Sequence, residues 1–88
     1  MLHKDFIITN KLGLHARASA LFVKTSNRFS SEIRLTRDGV EVNGKSIMGI
    51  MMLAASKGST VTLSAAGNDE VEAMLVIGEL ISNGFGEE

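Results

Sequence analysis

The sequence predicts an α+β fold in which one four-stranded antiparallel sheet carries three helices on a single face. Three observations predict it. Short apolar or alternating runs recur along the chain, longer stretches repeat their apolar residues every three or four positions, and the two kinds follow one another in the order βαββαβα. Strands with one apolar side bury one face and leave the other wet, and helices with a single apolar stripe are suited to cover it.

Each element has its own signal. "KDFIITN" is a short apolar run that ends in turn residues, and it predicts a first strand over residues 4–9. Residues 16–28 are rich in alanine. Ala18, Leu21, Phe22, Thr25 and Phe29 recur at helical spacing, opposite Arg17, Ala20, Lys24 and Asn27. In "SEIRLTR" the period changes to two, with Ile33 and Leu35 set against Glu32, Arg34 and Thr36. Asp38-Gly39 tolerates positive φ and predicts a hairpin into a short strand through Val40 and Val42, closed by Asn43-Gly44. Ser46 is a favourable cap for a short helix in "SIMGIMMLAA", expected to stop near Lys57-Gly58. "STVTLSA" alternates again as the fourth strand. Asn68 or Asp69 caps the last helix, Asp69 with Glu72 forms a candidate capping box, and Val71, Met74, Leu75 and Ile81 supply its buried stripe up to Gly84.

At 88 residues the chain is expected to be one domain, 1–88, with a modest core. It has no cysteine, and His3 with His15 alone makes a poor metal site, so neither a metal nor another cofactor is expected. No apolar run approaches the roughly 18 residues of a membrane span, and "MLHKDF" does not resemble a signal peptide. The expectation is a cytoplasmic protein without membrane insertion. Net charge is −1, which gives a general polyanion-binding role no support, and the four Phe, without Tyr or Trp, form no stacking platform for nucleic acid. The charges are nonetheless segregated. All nine Lys and Arg lie within residues 1–57, whereas residues 58–88 hold six acids and no base. That arrangement fits an acidic partner or a phosphate met by the first two-thirds of the chain, although chance in a short chain also produces it.

The stretch "NKLGLHARASALF" places His15 at a helix start. Leu12 and Leu14 are the neighbours that call for burial, so His15 is read as a surface residue. A helix beginning at Ala16 leaves its first N–H groups without intrahelical partners, and Arg17 adds a planar fork for two phosphoryl oxygens. The helix end is worth only about 0.3–1 kcal/mol to a charge, enough to orient a phosphoryl group but not to create reactivity. From the residues alone two readings stay open: His15 accepts and passes on a phosphoryl group, or it is a surface histidine of no consequence. "VNGKSIMG" lacks the glycine spacing of a Walker motif, and nothing resembles a nucleophile elbow. Ser46 has a complete structural explanation as a cap. Ile47, Met48, Met51 and Met52 cannot all face inward from so short a helix, however, so part of this set forms a Met-rich contact patch. A phosphate on Ser46 would suit the helix N-terminus while adding roughly −1.5 to −2 charges beside that patch.

These two motifs carry a resemblance. "LGLHARAS" resembles the active-site signature, and "NGKSIMGIMMLAA" the regulatory-serine segment, of the histidine-containing phosphocarrier (HPr) family of the bacterial phosphoenolpyruvate-dependent phosphotransferase system. The likeness runs essentially the whole length in the same element order. It implies an open-faced β-sandwich, phosphorylation of His15 through Nδ1, Arg17 as the phosphate-facing partner, and Ser46 as the site of an HPr kinase/phosphorylase. The docking surface it implies comprises Ala16, Arg17, Ala20, Lys24, Ile47, Met48, Met51 and Met52. The implied partners are enzyme I as donor and sugar-specific or regulatory IIA domains as acceptors, met by a monomer. The implied role is a phosphoryl-transfer intermediate in sugar transport or regulation rather than a stand-alone turnover enzyme.

One position departs from the family pattern: Ala18 stands where proline is usual. With His15 as cap, Ala18 is the third helical residue, where proline loses no hydrogen bond and alanine is a good helix former. The site is expected to survive with one more N–H near it. Other readings are a nitrogen-related carrier serving a regulatory IIA, a module that docks on a transcription factor when Ser46 is phosphorylated, and, more distantly, a small nucleic-acid-binding αβ domain.

Overall fold

Strand β4 (Thr60–Ala66) lies inside a sheet ordered β1-β4-β2-β3, between β1 (Leu2–Ile7) and β2 (Glu32–Arg37), with β3 (Val40–Asn43) at the far edge. The coordinates are those of a computed structural model and describe residues 1–87. Every strand pair is antiparallel. Register follows the alternation. Leu63 sits opposite both Lys4 and Leu35, and Val61, Leu63, Ala65, Ile33 and Leu35 are all buried. The intervening positions form a polar face, where Thr62 Oγ1 donates to Asp5 Oδ1 at 2.7 Å and Arg34 Nε to Glu32 Oε1 at 2.9 Å.

Helices α1 (Ala16–Ser26), α2 (Ile47–Met52) and α3 (Glu70–Ser82) cover the apolar face. Phe22, Ile50, Ile77 and Ile81 reach the same core as the strands and are fully buried. This is the expected α+β open sheet in the expected order βαββαβα.

Several boundaries and faces differ from expectation. Strand β1 runs over Leu2–Ile7 rather than residues 4–9, and Ile8 continues beside β4's approach through its N–H to Ser59 O at 2.9 Å. Helix α2 ends at Met52, well before Lys57. Ala54 takes a left-handed φ of 49°, and Arg37 Nη1 donates to Leu53 O at 3.1 Å, satisfying a carbonyl that the helix no longer serves. Leu12, expected to be buried, is 67% exposed.

The stripe of α3 is also rotated. Val71 and Leu75 are exposed, while Ala73, Ile77, Gly78 and Ile81 face the core. The reason is close approach. A Cβ on Gly78 would come within 2.6 Å of Phe6 Cζ, so small residues let α3 lie near the sheet and the larger ones turn outward.

The capping box does not form. Asp69 is the N-cap of α3, but its carboxylate reaches across to the start of β2. There it accepts from the N–H groups of Ser30 and Ser31, each at 2.9 Å, and from Ser31 Oγ. Those donors, the Ser31 hydroxyl foremost and the Ser30 N–H next, hold the carboxyl down to about 2. Glu70 rather than Glu72 bonds backward, accepting from Gly67 N at 3.1 Å. Among the described residues, no helix is long and apolar enough to cross a membrane.

Candidate functional site

The loop before α1 is pinned at both ends. Leu14 N donates to Ala55 O at 2.9 Å, and the Leu14 side chain is buried. Gly13 has φ +62°, and a Cβ there would stand 2.8 Å from Ser56 Cα. Only glycine allows the loop to lie this close to residues 55–56 while turning into the helix. Asn10, 1% exposed, closes the loop from inside, donating from Nδ2 to Gly13 O at 2.8 Å.

His15 is the N-cap, with extended φ −74° and ψ −179°. Its carbonyl receives the first helical bond, from Ser19 N at 2.9 Å, so the N–H groups of Ala16, Arg17 and Ala18 precede the ladder. The expected helix start is therefore in place. The imidazole does not cap it. It turns instead to the Glu87 carboxylate, with Nε2 at 2.8 Å from Oε2 and 3.0 Å from Oε1. Among the described residues no hydrogen bond engages Nδ1.

Glu87 is held in turn by Asn10, whose Nδ2 reaches Oε1 at 2.9 Å. The Asn10 amide first, then the hydrogen bond of His15 (with its charge only when the ring is protonated) and the charge of Arg17, hold the Glu87 carboxyl below its ordinary value, with burial opposing them. Arg17 is exposed beside this group and, among the described residues, forms no salt bridge. Its fork is thus available to an incoming anion.

Ser46 caps α2, accepting from Gly49 N at 3.0 Å through its half-buried Oγ. The hydroxyl is engaged as acceptor and keeps a proton to lose. Helices α1 and α2 pack against each other. On α1, Ala16, Arg17, Ala20 and Lys24 are all exposed. On α2, Ile47 and Met51 are 44% and 42% exposed, and Met48 and Met52 76% and 75%. Every position expected to line the docking surface therefore faces outward, and two adjacent helices carry them. The clefts found lie between α1 and α3 (about 240 Å³) and beside β1 and α3 (about 140 Å³), away from His15 and Ser46. Both clefts fall below the roughly 300–1,000 Å³ usual for small-molecule sites.

Sequence reasoning missed two members of this group. Asn10 reads as a turn residue, and Glu87 lies 72 positions from His15. The available signal was faint: a Gly-Phe-Gly turn that follows α3 and ends on an acid.

A family model described as the PTS HPr component phosphorylation site matches residues 2–83. The phosphocarrier protein HPr of Cupriavidus necator is 55% identical over 87 residues, covering 99% of this chain and 98% of that protein. The crystal structure of HPr-C-His from Thermoanaerobacter tengcongensis superposes with a TM-score of 0.96 at 52% identity, over 100% of this chain and 99% of that one. A crystal structure of an HPr dimer from the same organism gives 0.79 at 52% identity, over 99% and 100% of the two chains.

Proposed function

The chain belongs to the HPr family of the phosphotransferase system, and from that premise we propose that His15 Nδ1 is the atom that carries its phosphoryl group. Membership brings the phosphocarrier role, with enzyme I and IIA proteins as partners. The observation that carries the residue-level reading is the His15 geometry. Nε2 is bonded to Glu87, which leaves Nδ1 without a hydrogen bond among the described residues, and His15 is the N-cap of a helix whose first three N–H groups precede the first helical bond. Arg17 supplies the fork for the phosphoryl oxygens.

In the transfer, neutral His15 attacks a phosphohistidine on the donor. Attack requires the Nδ1 electron pair, which is free only while that nitrogen carries no proton. Arg17 and the helix N–H groups hold the oxygens as charge redistributes. The site is open and lightly built. That suits a carrier that must be unloaded as readily as it is loaded, since over-stabilising the loaded form would slow delivery.

Ser46 is the proposed regulatory site, modified by an HPr kinase/phosphorylase. Its phosphate would sit at the N-terminus of α2 and place charge beside Ile47, Met48, Met51 and Met52, opposing an acidic partner at the surface that also includes Ala16, Ala20 and Lys24. Acceptors in this reading are sugar-specific or regulatory IIA domains, and the working form is the monomer, which sedimentation would check.

The test is labelling with phosphoenolpyruvate and enzyme I, followed by mapping of acid-labile phosphate. Label is expected on His15 and absent from His15→Ala. Undiminished labelling of that variant would refute the assignment.

A further inference from the structure

We infer that Glu87 is a positioning residue for phosphoryl transfer: its carboxylate keeps the proton of His15 on Nε2 and so leaves the Nδ1 electron pair as the nucleophile. The inference rests on His15 being the carrier residue and adds the device that selects between its two ring nitrogens.

The hydrogen-bond chemistry has one direction. An ionised carboxylate only accepts, so a ring nitrogen 2.8 Å from Oε2 and 3.0 Å from Oε1 must be the N–H. Glu87 stays ionised because the Asn10 amide, His15 and Arg17 all favour its charged form. A neutral imidazole with its proton on Nε2 has its lone pair on Nδ1. The same contact denies Nε2 to an electrophile, since attack from that nitrogen requires both loss of its proton and withdrawal of Glu87.

The carboxylate is also built into place. Asn10 Nδ2 donates to Glu87 Oε1 at 2.9 Å and to Gly13 O at 2.8 Å. One buried amide therefore ties Glu87 to the loop that delivers His15. From the other side, α3 is followed by a turn in which Gly84, Phe85 and Gly86 have φ values of +68°, +60° and +72°. A phenylalanine rarely adopts this left-handed backbone. Here Phe85 is 5% exposed within the core, and that burial holds the turn. The turn is closed by Glu87 N donating to Gly84 O at 3.0 Å and by Gly86 N donating to Asn83 Oδ1 at 3.3 Å. An unfavourable backbone persists where its surroundings over-determine it, and this one ends on the residue that meets the imidazole.

In the step itself, the Nδ1 electron pair forms the new N–P bond as the donor's N–P bond breaks and returns its pair to the donor nitrogen. The proton remains on Nε2 throughout. The ring gains positive charge, which the Glu87 carboxylate faces at hydrogen-bond distance. On delivery the pair returns to Nδ1, and no proton has to find its way back.

The experiment compares the full chain with Glu87→Ala, Glu87→Gln and Glu87→Asp, using phosphoramidate as a small phosphoryl donor that needs no docking partner. Products are assigned by 31P and 15N NMR. The wild type is expected to give Nδ1-phosphohistidine at His15. Glu87→Ala should yield a mixture that includes the Nε2 isomer, and should show an Nδ1–H tautomer in the unloaded protein. Loading from enzyme I should fall about ten-fold in Glu87→Ala, the lower end of what is lost when a carboxylate that orients a metal-bound imidazole is removed. Glu87→Gln, which keeps an acceptor without charge, should fall between, and Glu87→Asp should recover Nδ1 selectivity. Unchanged isomer ratio and ring 15N shifts in Glu87→Ala would overturn the inference, even if stability fell, because a merely structural contact would not select a nitrogen. Absence of label on His15 in the wild type would instead refute the carrier assignment on which it rests.

Discussion

Helices α1 and α2, which pack against each other, make opposite uses of the N-cap. At α2, Ser46 Oγ accepts from Gly49 N at 3.0 Å, as a capping side chain should. At α1, His15 makes no such bond, and its ring faces Glu87 instead. The first arrangement stabilises a short helix. The second leaves donors at the helix end for something that arrives later. The difference teaches that an anion site is marked less by the helix N-terminus, which both have, than by a cap residue that declines to cap. It also separates the two phosphorylation chemistries proposed here. A phosphate at His15 would find unsatisfied N–H groups, whereas one at Ser46 replaces an existing bond with a stronger, charged acceptor.

The largest expected effect comes from erasing the contrast with His15→Ser. Labelling from phosphoenolpyruvate and enzyme I should vanish. Meanwhile the new hydroxyl caps α1, contributing about 1 kcal/mol, so the melting temperature should hold despite loss of the Glu87 contact. A melting temperature well below the wild type would mean that the imidazole supports the helix after all. Next in size, Ser46→Asp keeps a good N-cap and adds charge beside the exposed methionines. Transfer from enzyme I should slow about ten-fold with the fold intact, and unchanged transfer would remove the blocking role. Ser46→Ala has the converse pattern: a loss of about 1 kcal/mol in chemical denaturation with transfer nearly unchanged.

The third N-cap, Asp69, sharpens the comparison because its side chain serves another element altogether. With its carboxyl held down to about 2, against an ordinary value of 3.8, its contribution to stability is complete above the ordinary value. It is lost as pH falls through about 2. Asp69→Asn should therefore lower the melting temperature at pH 7, and the gap from wild type should close on acidification through that window. A gap independent of pH would show that the Ser30 and Ser31 donors do not depend on the charge.

How much of this was legible follows from the range of each interaction. The helix start at Ala16, the His15–Arg17 pair and the Ser46 cap are written within a few residues, and periodicity or capping chemistry reads such signals. The face of α3 was misread because hydrophobicity favoured Val71 and Leu75, whereas the approach of Phe6 to Gly78 decides the packing. Asp69 looked like a capping-box member because its alternative donors lie 38 and 39 residues away. Glu87 was invisible for the same reason. Nothing near His15 in sequence announces it, and only the turn through Phe85 brings it there.

The smallest expected effect is at Ala18, where the α1 cap can be probed without touching His15. Proline at this third helical position would remove one N–H from the open helix end and no helical hydrogen bond, since the ladder starts at Ser19. A helix terminus is worth about 0.3–1 kcal/mol to an anion, so losing one of its donors should change loading by no more than about two- to five-fold. The ring must also fit a position that is 1% exposed, which weighs on stability more than on transfer. Ala18→Pro should therefore lower stability slightly, read by denaturation, while single-turnover loading stays within that range. A change of a hundred-fold would mean that the N–H of Ala18, and not Arg17, is the principal hold on the phosphoryl oxygens.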